Sequence, residues 1–181
     1  MDYKISRLLI CGAAAFFLMA MHGRADTTLC FEAEDAKEIK APVKIIEVKD
    51  AAETARVSQG RIIEIEQGAG EGSKVGGSAK YKINLKEDGT YYFWARCWWV
   101  DSCGNSFGVK IGDKPEFIMG NDGTYKSWHW IKAKITLKLD KGVYDLEIGN
   151  REDGIRIDQI LITSDRKLIP VEIEKSEKLP E

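Results

Sequence analysis

The chain has 181 residues and a nearly balanced charge, with 27 Lys and Arg against 29 Asp and Glu. This length allows one domain with a hydrophobic core, and the apolar fraction of 44% and charged fraction of 31% are typical of globular proteins. A net charge of −2 leaves no basic footprint for nucleic acid. Two histidines are too few for most histidine-rich metal sites.

The first 25 residues, 1–25, have the pattern of a secretory signal peptide. Two basic residues precede an apolar run over residues 8–21, which is too short to span a bilayer comfortably. Gly23 and Ala25 then supply small residues at the −3 and −1 positions of a cleavage site. We therefore predict a secreted, periplasmic or extracellular protein that begins at Asp26 and has no membrane span. An uncleaved N-terminal anchor is the alternative.

The rest of the chain consists of short alternating segments separated by turn signals such as Asp-Gly and Lys-Gly. The stretch Trp130 to Leu139, for example, places apolar residues at every second position, as half-exposed antiparallel strands do. Ten strands are predicted, over residues 28–34, 43–48, 61–66, 78–85, 90–100, 105–111, 115–119, 128–139, 142–149 and 155–163.

Helix signals are almost absent, with one or two turns predicted over Ala51 to Val57. Many short strands without helices favour an all-β fold, a single-domain antiparallel β-sandwich over residues 26–163. Residues 164–181 are charged and poor in aromatic residues, so they predict a loose C-terminal tail.

Three cysteines follow the predicted cleavage site, namely Cys30, Cys97 and Cys103. An oxidising compartment permits disulfides, and Cys97 and Cys103 flank a predicted hairpin turn. We therefore predict a disulfide between Cys97 and Cys103, which leaves Cys30 as an odd thiol. Three buried free thiols are the alternative. The sequence has no Cys-x-x-Cys pair, so zinc and thioredoxin chemistry have no support.

The strand of residues 90–100 carries aromatic residues on both of its faces. Tyr91, Phe93 and Trp99 share one face, whereas Trp94 and Trp98 share the other. Both faces cannot belong to the core of a two-layer sandwich. The second face is therefore either a concave binding face or a surface that loops cover, and we favour burial by loops.

Four segments within residues 28–163 resemble, in order, the carbohydrate-binding modules of families 6 and 35. Those modules are jelly rolls of the galactose-binding-like superfamily. The segments are Glu32-Ala33-Glu34-Asp35, Gly89 to Arg96, Trp128-His129-Trp130 with the strand to Leu139, and Gly142 to Ile148 with Ile157-Asp158-Gln159-Ile160. The resemblance implies a jelly-roll fold and a carbohydrate ligand.

The resemblance also implies a structural calcium ion at the edge of the sandwich, held by acids of the first and last strands. In this sequence those acids are Glu32, Glu34 and Asp158. Strand alternation would place Glu32 and Glu34 on one side, roughly 7 Å apart, and Ca²⁺ prefers oxygen ligands. The alternative is that these acids are solvated edge residues or pair with Arg156.

A sugar site is implied in the loops at one end of the sandwich. Aromatic faces there stack on a pyranose ring, and amide or charged groups bind its hydroxyls. The candidate residues are Tyr125, Trp128, Asn150, Tyr81 and Arg96. Core packing is the alternative for Trp128, and an ordinary turn is the alternative for residues 150–154.

These observations predict a secreted, non-catalytic carbohydrate-binding protein with a structural calcium site. Catalysis is disfavoured because His129 lies between two tryptophans in a predicted strand, and because no carboxylate pair stands out as a glycosidase pair. One alternative is an interaction module that binds an envelope protein through the same fold. Another is a small polysaccharide hydrolase or lyase.

Overall fold

A computed structural model describes residues 26–54 and 56–180, so the predicted signal peptide lies outside the described residues. The described part of the chain forms two antiparallel sheets, which confirms the predicted all-β sandwich. The strands are β1 (Thr28–Glu32), β2 (Glu38–Lys40), β3 (Lys44–Glu47), β4 (Arg61–Ile65), β5 (Ser78–Leu85), β6 (Gly89–Trp99), β7 (Ser106–Ile111), β8 (Phe117–Gly120), β9 (His129–Lys132), β10 (Leu137–Leu139), β11 (Gly142–Asn150) and β12 (Ile155–Thr163).

The larger sheet has seven strands, with β12 at its centre between β6 on one side and β1 and β4 on the other. Strand β3 extends it beyond β4, while β9 and β10 pair with β6. The smaller sheet has the order β2-β5-β11-β7-β8. The first and last strands are therefore neighbours, with Glu32 opposite Gln159.

The core lies between the two sheets and follows the strand alternation. On β6, Tyr91, Phe93 and Trp99 are fully buried against side chains of the smaller sheet such as Tyr81 and Phe107. Burial of each such side chain contributes about 1.5–3 kcal/mol relative to exposure. The opposite face of β6 points away from this core, so the fate of Trp94 and Trp98 depends on what covers the outside of the larger sheet.

Several local features differ from the predicted elements, among them β2 and the helical turn Gly72–Val75, neither of which is predicted from the sequence. The first strand ends at Glu32, and residues Ala33–Asp35 form a 3-10 turn. The single strand predicted over residues 128–139 is two strands, β9 and β10, and Ile135 between them is exposed. Two helical turns complete the structure, α1 (Ala51–Thr54) and α2 (Gly72–Val75). No helix of the described ranges has the length and apolar character needed to cross a membrane.

The sequence predicts a loose tail over residues 164–181, whereas the structure docks residues 164–180 on the rest of the protein. We call residues 164–180 the C-terminal strap. They have no regular secondary structure, but they lie across the outside of the larger sheet and bond to it. The indole Nε1 of Trp130 donates to the Glu172 carbonyl at 2.8 Å, and the Glu177 amide donates to the Cys30 carbonyl at 2.7 Å. Apolar residues spaced among the charges, including Leu168, make this docking possible.

The predicted disulfide is not formed. Cys97 faces the core from β6 and is fully buried, whereas Cys103 lies exposed in the following turn, and both are free thiols, as is Cys30. Because Cys97 is an inward-facing residue of a paired strand, its side chain points into the sandwich rather than toward the turn.

Thiol reactivity should distinguish the exposed Cys103 from the buried Cys30 and Cys97. In the chain from Asp26 onward, a thiol-specific reagent should label Cys103 rapidly, because Cys103 is exposed. Cys30 and Cys97 should react only after unfolding, because burial raises the pKa of Cys30 to about 12 and that of Cys97 well above its usual value. A native protein with no reactive thiol, together with a mass lower than that of the reduced chain by two hydrogen atoms, would instead support the Cys97–Cys103 bridge.

Candidate functional site

The three acids expected to bind calcium are all buried where β1 meets β12. Glu32, Glu34 and Asp158 are 1%, 4% and 0% exposed, and we call them the acid cluster. Ser58 connects two of them, because its hydroxyl donates to Glu32 Oε1 and its amide donates to Asp158 Oδ1, each at 2.8 Å. The structure therefore brings together side chains that are far apart in the sequence, although Glu34 lies on the 3-10 turn and not on the strand.

Several oxygens of the acid cluster lack hydrogen bonds. Glu32 Oε2 and both Glu34 carboxylate oxygens are buried without a donor, although Arg61 Nε approaches Glu34 Oε1 to 3.7 Å, beyond hydrogen-bond range. Leaving buried polar groups unpaired is costly. Burial, with help from the charge of Glu32, raises the pKa of Glu34 to about 8. The cluster is thus short of positive charge.

Asp158 is the better compensated member of the acid cluster. Arg96 Nη1 donates to its Oδ2 at 2.6 Å, and this arginine is itself only 6% exposed. Burial raises the pKa of Asp158 to about 6, and Arg96 and the Ser58 amide oppose that rise. The pair is a buried salt bridge, in which the attraction between the two charges offsets the cost of removing both of them from water.

The donor chemistry of the acid cluster fits a calcium ion. Hard carboxylate oxygens without donors are the ligand type that Ca²⁺ prefers, and the acid cluster supplies three of them. The three acids do not form a closed cage, since within residues 26–54 and 56–180 no group of three or more His, Cys, Asp or Glu side chains is spaced to hold a metal ion. A bound ion would therefore require the carboxylate side chains to move.

A cleft lies beside this cluster on the outer face of the larger sheet. Its volume is about 720 Å³, within the range typical of small-ligand sites. We call it the aromatic cleft, because Trp98 of β6 and Trp128 of the loop before β9 line it. Its other lining residues are Asp50, Ala52, Arg56, Arg96, Lys126, Ser127, Glu172 and Ile173.

Two arginines hold the aromatic side chains of the cleft. The Arg96 guanidinium lies 5.2 Å from the centre of the Trp128 ring, and the Arg156 guanidinium lies 4.9 Å from that of Trp98. Such cation–π contacts fix the indole planes. Arg96 thus connects the aromatic cleft to the acid cluster, because it also donates to Asp158.

The five candidate sugar ligands do not converge on one place. Trp128 and Arg96 meet in the aromatic cleft, and Tyr125, 39% exposed, is on the same loop as Trp128 but is not a lining residue. Tyr81 lies away from the cleft, since it is 1% exposed and its hydroxyl donates to the Ala33 carbonyl at 2.6 Å inside the core.

Asn150 belongs to a different pocket, of about 600 Å³, at the end of β11. Its amide nitrogen donates to the carbonyls of Gly70 and Gly76, at 3.0 and 2.8 Å. A side chain at Gly72 would collide with the Asn150 carbonyl, because an added Cβ would lie 1.7 Å from that oxygen. Asn150 therefore holds the glycine-rich loop of residues 68–77, and its amide donors are already engaged.

Sequence reasoning missed the polar residues that complete the aromatic cleft. Arg56 and Asp50 come from the loop after β3, and Glu172 comes from the strap. Their positions depend on loop paths and on the docking of the strap, which no periodic pattern encodes. Trp98 did carry a signal, because it lies on the face of β6 that cannot belong to the core.

The loop that carries Tyr125 and Trp128 is anchored by Asp122. Its Oδ1 accepts from the Trp99 indole at 3.2 Å, and its Oδ2 lies 2.6 Å from His129 Nε2. His129 Nδ1 lies 2.9 Å from the Ser127 carbonyl, so both ring nitrogens are engaged within the loop. His129 is thus a loop anchor.

The architecture is that of the carbohydrate-binding modules of families 6 and 35. The C-terminal family 6 module of a laminarinase from Zobellia galactanivorans matches 76% of this chain and 99% of its own, with a TM-score of 0.54 and 21% identity. A family 35 module from Clostridium thermocellum matches 75% of this chain and 97% of its own, with a TM-score of 0.53 and 15% identity.

Part of a larger enzyme is also similar. An exo-β-1,3-galactanase from Phanerochaete chrysosporium matches 75% of this chain with a TM-score of 0.55 and 14% identity, but this chain covers only 29% of that enzyme. No protein-family profile matches the sequence. No curated protein is significantly similar to it either. The likeness to solved structures therefore establishes the fold, a jelly roll of the family 6 and family 35 type.

Proposed function

We propose that the protein is a secreted, non-catalytic module that binds a carbohydrate in the aromatic cleft and carries a structural calcium ion at the acid cluster. The observation that carries the binding proposal is the pairing of Trp98 and Trp128 with polar and charged groups in one open cleft. Indole faces match the apolar face of a pyranose, and the surrounding polar groups match its hydroxyls. The family 6 and family 35 fold supports the same proposal, and the predicted signal peptide supports secretion.

The calcium proposal is supported by the unpartnered oxygens of Glu32 and Glu34. Glu32, Glu34 and Asp158 would hold the ion, which would supply the positive charge that these buried carboxylates lack. Because β1, β12 and the 3-10 turn each contribute one acid, the ion would fasten the first and last strands together. In this proposal its contribution is to stability, and the sugar contacts come from the cleft.

Binding should be tested with soluble oligosaccharides of the kinds on which the similar proteins act. Laminari-oligosaccharides and β-1,3-galacto-oligosaccharides are the first probes, and calorimetry measures the dissociation constant. A micromolar-to-millimolar value is expected, because each sugar hydroxyl exchanges a bond to water for one to protein, with a net gain of only about 1 kcal/mol. Absence of binding across a broad glycan array would reject the proposal.

Trp128→Ala should weaken binding about tenfold or more while leaving the fold intact. Trp128 is only half-buried and lies outside the core, so its loss removes stacking surface rather than packing. Circular dichroism checks the fold. Tyr81→Phe is the matched aromatic control, and it should leave the affinity unchanged because Tyr81 is in the core.

Asn150→Ala distinguishes binding in the aromatic cleft from binding in the pocket at the end of β11. It should have little effect on affinity if the sugar lies in the aromatic cleft, since Asn150 lines the other pocket. If Asn150→Ala abolishes binding and Trp128→Ala does not, the sugar binds at the pocket of β11 and the assignment to the aromatic cleft is wrong.

A further inference from the structure

The aromatic surface of the larger sheet extends beyond the cleft and beneath the C-terminal strap. Trp94 lies two residues before Arg96 on the outer face of β6, and Trp130 of β9 is directly opposite Arg96. Together with Tyr92 they form what we call the covered patch. Leu168 of the strap packs on it, and Trp94 is only 8% exposed.

The strap reaches the boundary between the covered patch and the aromatic cleft. Its Glu172 carbonyl accepts from the Trp130 indole, and Glu172 and Ile173 form a wall of the cleft. The chain then turns back, and the Glu174 backbone makes two hydrogen bonds to the Gln159 side chain, at 2.8 and 3.0 Å. The strap thus closes the cleft on the side where the aromatic surface of the larger sheet continues into the covered patch.

The covered patch contains a buried polar group that has no hydrogen-bond partner in the protein and is available to a ligand. Trp94 Nε1 is buried without an acceptor, which is an unfavourable state for an indole N–H. Lys132 Nζ lies 4.3 Å from the centre of the Tyr92 ring and 5.2 Å from that of Trp94. An indole donor and an ammonium beside aromatic rings are what a further sugar unit would need.

We propose that the strap is the specificity-determining element of the cleft, and that it restricts binding to the end of a glycan chain by covering a second aromatic subsite. This inference rests on the proposed carbohydrate function. With the strap in place, a chain that enters the cleft meets Glu172 and Ile173 and stops. Without it, the floor formed by Trp98 and Trp128 continues to Trp94 and Trp130, and an internal stretch of a longer chain can bind.

The test compares a disaccharide with a hexasaccharide of the same linkage, drawn from the laminari and β-1,3-galacto series. The full chain from Asp26 should bind both with similar affinity, because only the end of the ligand enters. A chain that ends at Arg166 lacks most of the strap. It should bind the hexasaccharide about tenfold more tightly, since burying roughly 60 Å² more apolar surface has that effect, and it should bind the disaccharide unchanged.

A milder pair of variants guards against unfolding of the shortened chain. Leu168→Ser removes the strap side chain that packs on the covered patch, whereas Ile169→Ser changes the next residue, which is 74% exposed. The first should increase the preference for the hexasaccharide and the second should not. If disaccharide binding persists but no strap variant changes the length preference, this inference is overturned and the proposed function stands. If no glycan of these two series or of a broad array binds any of the proteins, both are overturned.

Discussion

In the absence of divalent cations, the protein should lose stability as the pH rises from about 4.5 to about 8. Glu34 is 4% exposed, and its pKa is raised from 4.5 to about 8, mainly by burial. Between these two values the native state holds a proton that the unfolded state has released. The free energy of unfolding therefore falls with increasing pH in this window, by on the order of 3–5 kcal/mol in total for Glu34.

Calcium should raise the free energy of unfolding, and this increase should be larger at pH 8 than at pH 5. A cation that replaces the proton must compete with it, so its effective affinity rises as Glu34 ionises. At a concentration about 100-fold above its dissociation constant, an ion bound only to the native state adds about 2.7 kcal/mol. Thermal unfolding with and without a chelator, at both pH values, measures the effect.

Glu34→Gln provides the discriminating variant, because it removes the charge and preserves the shape. It should remove the loss of stability between about pH 6 and pH 8 and reduce the calcium response, while Asp158, whose pKa is raised to about 6, still contributes below that range. Glu38→Gln is the matched control, since Glu38 is an exposed acid that pairs with Lys80. An equal calcium response at both pH values, in the parent chain and in Glu34→Gln alike, would contradict the assignment of the ion to the acid cluster.

Arg96→Met should destabilise the protein by about 3–5 kcal/mol. The substitution leaves Asp158, which is fully buried, without its guanidinium partner, and an uncompensated buried charge is costly. Arg156→Met is the matched control. Arg156 also lies over a tryptophan and also pairs with an acid, Glu64 at 2.9 Å, but its side chain is 27% exposed. Its loss should cost less than that of Arg96, because solvent and Lys44, 3.4 Å from Glu64 Oε2, still compensate the Glu64 carboxylate.

The double variant Arg96→Met, Asp158→Asn shows whether the buried charge is the cause. Because it removes both charges, it should recover a substantial part of the stability lost in Arg96→Met. Urea denaturation followed by circular dichroism gives the free energies. A double variant that is as unstable as the sum of the two single variants would mean that Arg96 acts through packing alone.

The parts of the fold that follow strand alternation could be predicted from the sequence. The inward positions of β6 and the proximity of β1 to β12 belong to this class, whereas Asp158 lies at an irregularity of β12 between Ile157 and Gln159. Their placement depends on period-two patterns and on the pairing of terminal strands, both of which are local or topological.

The aromatic cleft depends on features that alternation does not encode. The resemblance places Trp128 and Asn150 near one another, but the paths of their loops carry them to separate pockets. The charged composition of the strap predicts a loose segment, yet a few apolar residues such as Leu168 and Pro170 are enough to dock it. The average composition of a charged segment does not reveal the few apolar residues that attach it to the fold.

All five tryptophans lie between residues 94 and 130, on β6, on β9 and in the loop before β9. Tryptophan fluorescence of this protein therefore originates in the larger sheet, and Trp99, which packs against Phe107 of β7, is the indole that also reports on the smaller sheet. Emission from Trp98 and Trp128 should respond when a ligand enters the cleft, whereas loss of structure in the smaller sheet should be seen through exposure of Trp99. Unfolding curves from fluorescence and from far-ultraviolet circular dichroism will coincide only if both sheets melt in one step.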